Sequence, residues 1–268
     1  MPLPAVLLLG FLAGATIVLG MPLGRLRSTA PELRTVLNAL AAGVLLFLFW
    51  DVVTHAWEPI DAGLTALHEG KGSIAPVLGL GLLFAGGLAV GLLGLAWYER
   101  WMVRRSGEAH LAPRKLALLI AIGIGLHNFA EGLAIGQSAA SGELQLAIVL
   151  VIGFALHNAT EGFGIVAPLA ADVDENGNRR IPSWAQLLLL ALIGGGPTFL
   201  GTWVGTFFIS DIVSIVFLTL AAGSILYVVM QMIGMGMRAR RGDLVAYGVL
   251  AGLLAGFLTD AIVTAGGA

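Results

Sequence analysis

The pattern His-Asn-x-x-Glu-Gly occurs twice within Leu126–Val166, each time inside an apolar run, as His127-Asn128-Phe129-Ala130-Glu131-Gly132 and His157-Asn158-Ala159-Thr160-Glu161-Gly162. On a helix, residues four apart share a face, so His127 with Glu131 and His157 with Glu161 each present an imidazole and a carboxylate in one direction. Asn128 and Asn158 flank that stripe. Neutral imidazole with carboxylate oxygen is the ligand set of zinc and neighbouring divalent transition metals, with amide oxygen or water completing the shell. Calcium and magnesium more often take oxygen alone. An ionisable side chain near a bilayer centre costs about 2.5–3.5 kcal/mol on insertion scales. Four of them in repeated register therefore point to a bound cation rather than to helix pairing by polar hydrogen bonds.

The chain that must position these groups has 268 residues, 58% apolar and 11% charged, with a mean hydropathy of +0.94. That is far below the roughly 25% charged residues of globular domains and fits an integral membrane protein. There is no cysteine, which excludes thiolate sites, disulfides and thiol catalysis. Apolar stretches long enough to span a core of about 30 Å recur at 4–24, 35–57, 74–98, 116–140, 144–170, 184–208, 211–236 and 244–265. The expectation is an all-α bundle of eight transmembrane helices forming a single domain over 1–268. The N-terminal run lacks the basic n-region of a signal peptide and reads as the first helix. Of the fourteen Lys and Arg residues, all but Lys71 fall in the first, third, fifth and seventh connections. That bias places those connections in the cytoplasm and both termini outside, in the inner (plasma) membrane. The basic residues are thereby explained by topology, with nothing to suggest nucleic-acid binding.

Helices 4 and 5 are joined by a few residues around Ser141-Gly142-Glu143 and must pack antiparallel. His127 and His157, each fifteen residues from Gly142, should then face one another near mid-membrane. Glu131 should lie about 6 Å toward the outside and Glu161 about 6 Å toward the cytoplasm, giving a polar track. In helix 2, Asp51, His55 and Glu58 share one face near the outer end, and Asp51 and His55 read either as an entrance for cations or as an interfacial helix end beside the aromatic anchors Trp50 and Trp57. Asp211 and Asp260 fall at helix ends, where charge is cheap, and take no role. Ala171–Pro182 reads as a solvated connector.

With these spans and paired cassettes the chain resembles the ZIP (Zrt/Irt-like) family of divalent metal transporters, especially its short prokaryotic members. The fourth-helix cassette is similar to the family's His-Asn-x-Pro-Glu-Gly, with Ala130 in place of proline, and Ala221-Ala222-Gly223-Ser224-Ile225-Leu226-Tyr227 is similar to its seventh-helix segment. The resemblance implies transport of zinc, or of cadmium, iron or manganese, toward the cytoplasm by an elevator-like movement. It makes the metal its cargo, with no cofactor. It also implies His127, Asn128, Glu131, His157, Asn158 and Glu161 as ligands. Gly196-Pro197 stands where the family often has Glu-Pro in helix 6, and Gln231 stands at a later acidic position of helix 7, so the resemblance implies one principal metal, or a second held weakly.

A rival reading is an intramembrane zinc-dependent hydrolase, since His and Glu four apart can hold a catalytic zinc. The chain has no His-Glu-x-x-His, and each cassette carries Asn where that motif has its general base. The glycine-rich helices 1, 3 and 6 can pack within one bundle or between protomers, which leaves a homodimer open.

Overall fold

A computed structural model describes residues 2–25, 31–107, 111–142, 144–174, 176, 178–207, 210–238 and 240–265. His110, in the basic third connection, lies outside them. Among the described residues eight helical segments are long and apolar enough to cross a membrane. The all-α, eight-span membrane architecture expected from the hydropathy is thus observed. The helices are α1 Leu3–Ala15, continued by 3-10 turns at Thr16–Leu19 and Met21–Arg25, then α2 Pro31–His68, α3 Ile74–Ser106 and α4 Pro113–Ala140. They are followed by α5 Leu144–Val166 with a 3-10 turn at Ala167–Ala171, α6 Trp184–Gly205, α7 Asp211–Arg238 and α8 Gly242–Ala265.

Local chemistry sets several of these ends. Pro113 opens α4 in the first turn, where its missing N–H costs nothing. Ser183 caps α6 by accepting from Gln186 N at 3.1 Å. The α4–α5 turn passes through Gly142 at φ 83°, a left-handed conformation that suits glycine. Through Ala130, where the family's proline would stand, α4 stays helical. The second helix runs past the expected 35–57: its 38 residues exceed the ~20 that a bilayer core needs. Hydropathy ends where charge begins, at Glu58, but helical backbone bonds continue through it.

The helices fall into two groups. α1, α4, α5 and α6 pack chiefly on one another, as do α2, α3, α7 and α8, and the groups meet mainly where α4 touches α7 and α2 touches α5. Within a group, glycines let backbones touch: a Cβ on Gly136 would strike the Thr202 carbonyl and Gly205, and one on Gly91 the Leu220 carbonyl and Gly223. Across the groups, Gly164 meets only the flexible end of Met232.

The connector after α5 is more ordered than a solvated loop. Asp172 is buried and pairs with Arg114 Nε at 2.6 Å, and Val173 bridges to Arg179. Arg25 Nη1 donates to the Pro182 carbonyl at 2.5 Å and Arg179 Nη2 to the Gly24 carbonyl at 2.9 Å. At the tip, the backbone N–H groups of Asn178 and Asn176 donate to Asp174 and hold its carboxyl below the usual range.

Candidate metal centre

On α4, His127 and Glu131 are one turn apart, with His127 Nε2 3.0 Å from Glu131 Oε1. On α5, His157 reaches the same oxygen, its Nε2 2.5 Å away. Glu131 therefore bridges the two imidazoles, whose ring centres are 6.4 Å apart. One ligand atom from each of His127, Glu131 and His157 lies within 4.8 Å of the others. Glu161 Oε1 stands 3.7 Å from His127 Nε2. Its other oxygen accepts from Asn128 Nδ2 at 3.2 Å, and that amide also donates to the Gly194 carbonyl of α6 at 2.9 Å. Asn158 Nδ2 donates to the Ala13 carbonyl of α1 at 3.0 Å.

The four ionisable groups form a compact cluster rather than the elongated track expected from their rise along the helices. The Cα–Cβ bond tilts toward the N-terminus of its own helix. On two helices joined by a tight turn, Glu131 leans back toward His127 and Glu161 back toward His157, so both carboxylates return to the middle. All four residues are buried, as are Asn128 and Asn158. Among the described residues, Glu131 Oε2, Glu161 Oε1, Asn128 Oδ1, Asn158 Oδ1 and His127 Nδ1 have no hydrogen-bond partner. Buried acceptors without donors each cost on the order of 1–3 kcal/mol, more when charged, and a cation would relieve several at once.

Asp51 and His55 do not join the cluster. They line a cavity of about 270 Å³ that also touches His157 and Thr160 of α5 and Thr259 and Asp260 of α8. His55 Nδ1 lies 3.5 Å from Asp51 Oδ1. Asp260, read as an incidental helix-end charge, faces this vestibule. Nothing in α8 alone signals it, because only the packing of α8 on α2 brings the carboxylate to Asp51. At Gly196 a Cβ would meet Leu192 of its own helix, and the residue lines an apolar groove with Pro197 and Phe199. α6 reaches the cluster through the Gly194 carbonyl instead. Gln231 sits apart, donating to Glu99 Oε2 at 2.9 Å beside Tyr227.

Eight helices long and apolar enough to cross a membrane, with imidazoles and carboxylates buried between them, define a polytopic membrane protein. The family described as ZIP Zinc transporter matches residues 103–241. The zinc transporter ZupT of Shigella dysenteriae serotype 1 (strain Sd197) is 36% identical over 198 residues, covering 71% of this chain and 70% of that protein. The chain belongs to the ZIP zinc transporter family. It is thereby a transporter rather than an enzyme, and the hydrolase alternative finds no support.

Proposed function

We propose that the protein carries zinc, with cadmium, iron(II) and manganese as related cargo, across the membrane toward the cytoplasm. The ion binds at His127, Glu131, His157 and Glu161, with Asn128 and Asn158 supplying amide oxygens. The observation that carries this reading is the convergence of buried acceptors that have no donor. Two carboxylates and two imidazoles in an apolar bundle are costly unless a cation neutralises them. One divalent ion does so and is held by the ligand set that suits zinc. The ion is cargo, and no resident cofactor is proposed.

Asp51 and His55, joined by Asp260, form the entrance from outside. The basic residues of the odd-numbered connections support an orientation with both termini outside, in the inner (plasma) membrane. The two helix groups support an elevator-like movement, in which a site held mid-membrane is exposed to each side in turn. The exposed apolar face of α3, with Leu78, Leu82, Val90 and Leu93, suits lipid and offers the surface for a homodimer.

The test is metal flux into proteoliposomes for zinc, cadmium, manganese and iron(II), alongside His127→Ala, Glu131→Ala, His157→Ala and Glu161→Ala. Saturable flux lost in these variants is the expected result. Binding without flux would make the protein a sensor, and no binding would return the cassettes to helix packing.

A further inference from the structure

Of the eight spanning helices α3 is the least enclosed, with 11% of its spanning window buried. Its exposed stripe of Leu78, Leu82, Val90 and Leu93 continues into Trp97 and Trp101, which are 67% and 41% exposed. Leu78 to Trp97 is a rise of about 29 Å at 1.5 Å per residue, which matches an apolar bilayer core of about 30 Å. The helix does not end there but runs on to Ser106. Arg100 and Arg104 therefore stand about 5 and 10 Å past the edge of that core, within reach of lipid headgroups.

Charge is sorted around this end of the helix. Trp97, Arg100, Trp101, Arg104 and Arg105 are spaced i, i+3, i+4, i+7 and i+8, so they share one face, and all five are exposed. Glu99 is the one carboxylate of α3. It turns to α7, where its Oε2 accepts from Tyr227 Oη at 2.7 Å and from Gln231 Nε2 at 2.9 Å. The outward face is left with three guanidinium groups and no acid. Arg105 Cζ lies 5.0 Å over the Trp101 ring, which stacks on Tyr98 at 5.7 Å, so aromatic contacts hold that guanidinium in place.

We propose that this face of α3 binds the phosphate headgroup of an anionic phospholipid in the cytoplasmic leaflet, through Arg100, Arg104 and Arg105, with the acyl chains along the apolar stripe. Guanidinium groups hold phosphate oxygens by paired, charge-assisted hydrogen bonds, and the two tryptophans mark the interface. A second copy of the chain fits this end poorly, because a two-fold interface sets a patch against itself and would face arginine with arginine. α3 packs chiefly on α7, so a lipid held here anchors the helix group that does not carry the cassettes. The leaflet rests on the orientation proposed above, whereas the binding itself does not.

Purified full-length protein in detergent is offered phosphatidylglycerol or phosphatidylcholine of matched chains. Retained lipid is counted by native mass spectrometry, with the thermal unfolding midpoint measured alongside. Phosphatidylglycerol should be held about tenfold more tightly or better, and each of Arg100→Gln, Arg104→Gln and Arg105→Gln should weaken it about fivefold. Trp101→Leu should weaken it too, by releasing Arg105. Arg238→Gln, at the end of α7, should leave it unchanged. If one variant loses its cooperative thermal transition, the remaining single variants decide. Equal retention of the two lipids, or equal losses in Arg238→Gln and Arg104→Gln, overturns the site. So does inorganic phosphate that reproduces the thermal shift, which makes this a free-anion site. A dimer that Arg104→Gln strengthens while lipid retention stays unchanged gives the face to a second copy and also overturns it. Orientation is read separately from a single Lys71→Cys, expected to be labelled from outside the cell. Labelling only from the cytoplasm overturns the leaflet, while the retention data still decide the site. Retention needs no metal flux, so a parent that holds phosphatidylglycerol but carries no zinc defeats the transport reading alone.

Discussion

Glu131 holds the cluster together because one of its oxygens lies within 3.0 Å of both imidazoles. Replacing it with Gln keeps the shape, removes the charge and puts an amide into the proposed cation site. Glu131→Gln should therefore weaken zinc or cadmium binding by two orders of magnitude or more, roughly 3 kcal/mol, in calorimetric titration of purified protein. Glu161, 3.7 Å from His127 and already accepting from Asn128, should matter less on conversion to Gln. Protons compete with metal for imidazole nitrogen, so affinity should fall as pH drops below roughly 6.5. Equal affinity at pH 7.5 and 5.5 would count against imidazole ligation. In the proposed entrance Asp260 contributes its charge, so Asp260→Asn should raise the KM for external zinc several-fold at low salt, with little change in maximal rate. A KM insensitive to that change and to ionic strength would remove it from the entrance.

Among the elements, the close pairs inside each helix group set the stiffness of the frame around these residues. Gly132 of α4 lies against the Thr198 carbonyl of α6, and its added Cβ would meet backbone that cannot rotate away. Gly132→Ala should destabilise the bundle by about 1–3 kcal/mol, read as a lower midpoint in thermal unfolding in detergent. Gly164→Ala, facing the mobile end of Met232, should cost much less. The pairing of α4 with α5 was legible in the sequence because the two cassettes are equidistant from a turn. Their convergence was not, because rise per residue locates Cα atoms while side-chain lean decides where carboxylates end. The hairpin after α5 was also missed: Asp172 and Arg114 look like loop charges until folding buries the Asp172 carboxylate and pairs it with the Arg114 guanidinium.

For the whole molecule, two groups joined by side-chain contacts should move as bodies. The absence of cysteine makes this testable with introduced pairs. Linking Gly123→Cys on α4 to Val228→Cys on α7, whose side chain a Cβ at 123 would touch, should stop flux and spare metal binding. Linking Ala39→Cys to Gly248→Cys, a contact between α2 and α8, should leave flux intact. Unimpaired flux in the first linked pair would argue for a static pore. By itself the sequence determined the eight spans, the antiparallel cassette pair and the chemistry of its side chains. Each follows from local quantities, namely hydropathy over about 20 residues, i to i+4 spacing and distance from a turn. Only the tertiary structure decided that Asp260 faces Asp51, that the Gly194 carbonyl holds Asn128, and that Asn38 is tied to Met232. Those contacts join helices distant in the chain, and their register depends on how glycine-lined surfaces settle against one another, which no single segment encodes.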